Sequence, residues 1–178
     1  MIGHSQREFL MMKMIGALLL SLALLLAACE SGEKEAVNPT TVSTVAPEIV
    51  YEKGFFPLEK DDKAGTSWRW MGAEGVLKVK NTKRDMTLKL AGNVPLEPFP
   101  QPPTIAVFLN GEELEKFEAT TGMMEKVYLI PAAKLGANEY AELKLTISKT
   151  FVPKDTVKGA TDARALGFSL TNLTWQPK

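Results

Sequence analysis

The chain has 178 residues, with 21 basic and 21 acidic side chains and no net charge at pH 7, so it lacks the clustered positive surface that nucleic-acid binding requires. Its one histidine, His4, and its one cysteine, Cys29, both lie in the first thirty residues. The rest of the chain therefore has no Ser-His or Cys-His nucleophile, no common zinc site and no disulfide, and must be held by a hydrophobic core.

Met14 to Ala28 reads MIGALLLSLALLLAA, fifteen uncharged residues preceded by Arg7 and Lys13. A permanent membrane span needs roughly 20 apolar residues, so this run is short for one and fits the apolar region of an export signal. It ends in Leu26-Ala27-Ala28-Cys29, which resembles the lipobox of bacterial lipoproteins. The resemblance implies that the Cys29 thiol is alkylated with diacylglycerol, that the chain is cut before it, and that residues 1–28 are removed. Two or three acyl chains anchor a protein to a bilayer stably where one does so only marginally. An ordinary secretory signal and a retained helix are the alternatives.

Setting aside Arg7, Lys13 and Glu8, the segment from Cys29 onward carries one negative charge in excess. Residues 29–47 form the lipidated cysteine and a tether rich in Glu, Thr, Ser, Val and Pro, with no sustained apolar period. Glu30 is not the Asp associated with inner-membrane retention in enteric bacteria. The expected location is thus the cell envelope, lipid-anchored, with the periplasmic side of the outer membrane favoured.

From residue 48 the pattern changes to short alternating runs, the signature of half-buried strands. Nine strands are predicted: Glu48–Glu52, Ser67–Met71, Gly75–Lys80, Met86–Ala91, Thr104–Leu109, Glu113–Ala119, Glu125–Ile130, Tyr140–Ser148 and Leu166–Trp175. Asn110-Gly111 predicts a tight hairpin, because such turns need positive φ. Asn81 to Arg84 makes another reversal. Gly92 to Pro103, with five prolines, reads as a rigid crossover, and Pro131 to Gly136 as one helical turn. In the last strand Leu166, Phe168 and Leu170 alternate, but Leu173 and Trp175 have the opposite parity, so a bulge is expected near Thr171 or Asn172. With no sustained helical period, residues 48–178 read as one all-β domain, an antiparallel β-sandwich with jelly-roll topology.

The residues with chemistry to explain are Glu59, the Trp68-Arg69-Trp70 run, Asp162 and Arg164. On a strand Trp68 and Trp70 point one way and Arg69 the other. Gly54, Phe55 and Glu59, then Trp68 and Trp70, then Asn110-Gly111, then Asp162, Arg164, Leu166 and Gly167 together resemble a β-sandwich module of bacterial envelope proteins. Some copies of that module are attached to membrane glycosyltransferases, and its activity is unassigned. The resemblance implies the fold but no catalytic residue.

An aromatic face beside Arg and carboxylates suits a sugar, whose apolar side stacks and whose hydroxyls take paired hydrogen bonds. The alternative is structural, with Trp68 and Trp70 in the core while Asp162 and Arg164 pair with Glu59 and Arg69. Glu59 to Lys63 lacks the spacing of a calcium loop and reads as a solvated turn. No metal, cofactor or catalytic set is expected. The leading reading is a membrane-anchored lipoprotein whose non-catalytic domain binds an envelope glycan or a protein partner. The rival is a polysaccharide-acting enzyme that uses Glu59 and Asp162 as acid and base.

Overall fold

A computed structural model describes residues 48–178; the expected signal segment, Cys29 and the expected tether lie outside the described residues. Nine strands run in chain order: β1 (Ile49–Phe55), β2 (Glu59–Asp61), β3 (Thr66–Lys80), β4 (Met86–Asn93), β5 (Thr104–Leu109), β6 (Glu112–Glu118), β7 (Met123–Ile130), β8 (Tyr140–Ile147) and β9 (Phe168–Pro177). A 3-10 turn (Ala132–Leu135) precedes β8, and a single helical turn, α1 (Pro153–Thr156), follows it. All pairings are antiparallel, in the order β6-β5-β8-β3-β9-β4-β7, with β1 and β2 also on β3.

This continuous sheet curls into a sandwich because β3 belongs to both layers. Its first half pairs with β9 through Arg69, Trp70 and Met71, and its second half pairs with β8 from Glu74 to Lys80. The two runs predicted at Ser67–Met71 and Gly75–Lys80 are therefore one strand that turns a corner at Gly72 to Gly75. β1 turns with it, its register jumping from Lys53↔Val76 to Phe55↔Met71. Gly54 makes this approach possible: its φ is +77°, and a Cβ there would stand 1.9 Å from the Glu74 carbonyl oxygen. Apart from the β5–β6 hairpin, strands after β3 cross between layers as they follow one another, as in a jelly roll.

The alternating residues of the two layers meet in one core. Leu77 and Val79 of β3, Leu88 and Leu90 of β4, Val107 of β5, and Leu143 and Leu145 of β8 are all buried. In β9 the expected bulge falls at Thr171, where Ala91↔Asn172 gives way to Gly92↔Leu170. It brings Leu170 and Trp175 into the same core despite their opposite parity. Trp175 also donates Nε1–H to the Lys80 carbonyl at 2.7 Å. Asn110 and Gly111 close the β5–β6 hairpin with φ of 49° and 82°.

Asn81 holds the β3–β4 reversal. Its buried amide nitrogen donates to the carbonyls of Leu135, Gly136 and Asn138, and its Oδ1 accepts from the Lys83 amide. The long segments that remain, Val94 to Pro103 and Val152 to Gly167, lie at one end of the sandwich and flank the corner of β3.

Candidate functional site

β2 forms a hairpin on the start of β3, with Glu59↔Trp68 and Asp61↔Thr66 opposed. In the turn, Asp61 Oδ1 accepts from the Lys63 and Ala64 amides, so this carboxylate is spent on its own backbone. Among the described residues, no group of three or more metal-ligating side chains is assembled.

The hairpin places Glu59 at the centre of a network. Its Oε2 accepts from Trp68 Nε1 at 3.1 Å, and its Oε1 accepts from Arg164 Nη1 at 2.8 Å. Arg164 also donates Nε and Nη2 to Asp162, at 3.0 and 2.6 Å, and its guanidinium lies 4.9 Å from the centre of the Phe56 ring. Asp162 accepts from the Arg164 amide as well, while its own carbonyl accepts from the Lys154 amide on α1. Hydrogen bonds from Arg164 hold the Asp162 carboxyl below its ordinary value, and those carboxylates raise the guanidinium's own pKa.

The neck of the 152–165 loop is closed by paired backbone hydrogen bonds between Phe151 and Leu166, each 2.8 Å. These two residues and Trp70 form the apolar floor of a cleft of about 460 Å³. The rings of Trp70 and Phe151 meet edge-on at 6.1 Å, and Phe99 packs edge-on against Phe151 at 6.0 Å. Pro95 and Pro98 make one wall and Pro153 and Val157 the other, with Glu59, Glu97, Asp162, Arg164 and Thr156 as its polar groups.

Four of the six residues singled out from sequence therefore line this cleft: Glu59, Trp70, Asp162 and Arg164. Trp68 stands behind it and holds Glu59. Arg69 faces away, donating to the Phe56 carbonyl at 3.3 Å and stacking 4.6 Å over Tyr51. It does not enter the Asp162–Arg164–Glu59 pairing expected of it, because strand alternation turns it to the other side of β3. Burial raises the Tyr51 pKa, and Arg69 opposes that rise.

Trp68 and Trp70 are each half-buried, whereas the ring that fills the core is Trp175. Of the structural alternative, the pairing of Asp162 and Arg164 with Glu59 is met, but the β3 tryptophans do not fill the core, because the corner brings this half of the strand to the end of the sandwich. Sequence reasoning missed Pro95, Glu97, Pro98, Phe151, Pro153, Thr156 and Val157. The available signal is the proline density after Gly92: the segment crosses between the layers as expected, and two of its prolines also form a wall of the cleft.

Chemically, the arrangement offers ring faces and proline edges for apolar contact beside fixed charges for hydrogen bonding. Glu59 and Asp162 share one guanidinium, and Asp162, held below its ordinary value, is a poor proton donor, which disqualifies it as the acid of a glycosidase pair but not as the base.

Fold and cleft together define an antiparallel β-sandwich domain with a cleft at one end. No protein-family model and no curated protein matches the chain. Similar solved structures include TmCBM61 in complex with β-1,4-galactotriose, at 10% identity and a TM-score of 0.39, covering 73% of this chain and 87% of that one. A family 35 carbohydrate binding module from Clostridium thermocellum is similar at 11% identity and a TM-score of 0.35, covering 74% and 90% of the two chains. SGBP-B from a xyloglucan utilization locus in Bacteroides uniformis is similar at 10% identity and a TM-score of 0.33, covering 74% of this chain and 45% of that one. At these TM-scores and identities the likenesses bring no ligand to this chain, and the functional argument rests on the cleft.

Proposed function

We propose that this is a lipid-anchored protein of the bacterial envelope whose β-sandwich, residues 48–178, binds a glycan without catalysing its cleavage. The observation that carries the binding half is the cleft itself. The Trp70 and Phe151 rings lie beside an Arg164 guanidinium fixed by Asp162 and Glu59. Fixed charges next to an apolar floor match a sugar ring, which has an apolar face and an equatorial belt of hydroxyls. Fixing the groups before binding lowers the entropy lost on association.

The anchoring half is supported by Leu26-Ala27-Ala28-Cys29 at the end of an uncharged run. In this reading residues 29–47 are the tether, and the domain lies on the periplasmic side of the outer membrane.

Two experiments test the halves separately. Mass spectrometry of the N-terminal peptide from bacterial membranes should find it starting at an acylated Cys29. A Cys29→Ser chain should remain an unprocessed precursor, and normal anchoring of that variant would refute the anchor. Oligosaccharide binding by the purified protein should be lost in Trp70→Ala and in Arg164→Gln, with unfolding midpoints recorded alongside. If both folded variants keep full affinity, the cleft is not the binding site. If oligosaccharides do not bind but a protein partner does, and those same substitutions weaken it, the site takes a protein.

A further inference from the structure

The polar rim of the cleft is unbalanced in charge. Glu59, Glu97 and Asp162 line it against one guanidinium, Arg164, and no lysine. Lys154 and Lys158, on the same loop as one wall, do not line it. Arg164 is already committed to Asp162 through Nε and Nη2 and to Glu59 through Nη1. One cation thus serves two carboxylates, which leaves one negative charge over, and Glu97 adds a second. Glu97 stands exposed on the proline wall, and its carboxylate has no hydrogen bond or ion pair among the described residues.

Ionised carboxylates only accept hydrogen bonds. A ligand group facing them must therefore donate, as a hydroxyl or an amine does. A uronate, sulfate or phosphate would set acceptor against acceptor and like charge against like. Aromatic and proline walls, being of low dielectric, focus that repulsion more than open surface would.

We infer that the cleft selects glycans without acidic groups, and that Glu97 is the residue that sets this selection. The inference rests on the glycan-binding reading and narrows its ligand class. Arg164 does not draw acidic sugars in, despite being the one cation in the cleft, because its charge is already matched by its two carboxylate neighbours.

The test is an array of gluco-, manno- and galacto-configured oligosaccharides, each immobilised beside its counterpart oxidised at C6 to the uronate, and probed with the purified protein. A neutral member should bind about tenfold or more tightly than its uronate, the scale of one uncompensated like-charge contact. The gap should narrow as salt is raised. Glu97→Gln, at an exposed and unpaired position, should narrow it at constant salt by improving retention of the uronate.

Uronates bound as well as neutral members, or a gap unchanged in Glu97→Gln, would overturn the charge selection while leaving glycan binding intact. Retention of no member, neutral or oxidised, would remove the glycan reading and this inference with it.

Discussion

Arg164 Nη1 donates to Glu59 Oε1 at 2.8 Å, across 105 residues of chain. The bond ties the loop before β9 to the β2–β3 hairpin, and it fixes the polar end of the cleft. Both side chains are about one-third exposed, so water and salt screen the pair. Glu59→Gln should lower unfolding free energy by less than about 1 kcal/mol, and less still as salt is raised. Urea titration at two ionic strengths measures this.

The Asp162 carboxyl is held below its ordinary value of 3.8 by its hydrogen bonds to Arg164. A depressed carboxyl contributes stability that is present above its unfolded value and lost as pH falls through the folded one. Tryptophan fluorescence should therefore report loosening of the cleft loop below about pH 4. An acid transition identical in Asp162→Asn would assign that event elsewhere.

Where the two edge strands meet, Tyr128 of β7 donates to Glu115 of β6 at 2.8 Å, and Lys126 donates to the same carboxylate at 2.6 Å. Burial and then the Glu115 bond raise the Tyr128 pKa above its ordinary 10.0. Burial pushes Glu115 up, but its two donors outweigh that and leave it lowered. The Tyr128 contribution is complete below the unfolded value and lost as pH rises through the folded one. Spectrophotometric titration should find tyrosine ionisation lagging that of the urea-unfolded chain, with the lag reduced in Tyr128→Phe.

Gly54→Ala should be among the most damaging single-methyl additions. Its Cβ would meet backbone, the Glu74 carbonyl, and φ is already +77°. Neither the carbonyl nor the β3 corner behind it can yield as a side-chain tip would. A loss of at least about 2 kcal/mol is expected from overpacking and strain together. Equilibrium unfolding that shows under half of that would mean the corner is softer than its geometry implies.

Trp175 and Trp68 should separate by stability. Trp175 is 3% exposed and hydrogen-bonded to the Lys80 carbonyl, so Trp175→Ala should cost about 3 to 5 kcal/mol. Trp68→Ala removes a half-buried ring and one bond to Glu59, and its loss should be clearly smaller. Equal losses in urea unfolding would contradict the assignment of Trp175 as the core ring.

Local chemistry was legible in the sequence wherever one residue or one period carried it. Alternation marked the strands, Asn110-Gly111 marked the hairpin, and the parity change in the last strand marked the bulge now found at Thr171. β2 was missed because three residues are too few to show a period.

What the sequence determined by itself was the all-β class, the hairpin and bulge positions, and the residue types able to bind a ligand. Tertiary structure alone decided which of these meet. The corner at Gly72 to Gly75 lies within one uninterrupted strand, and it turns Trp70 toward a loop some ninety residues away and leaves Trp175 to fill the core. A two-residue period fixes a side chain's face relative to its own strand. The partner across the sandwich depends on how the sheet curls, and that is set by long-range packing that no local pattern records.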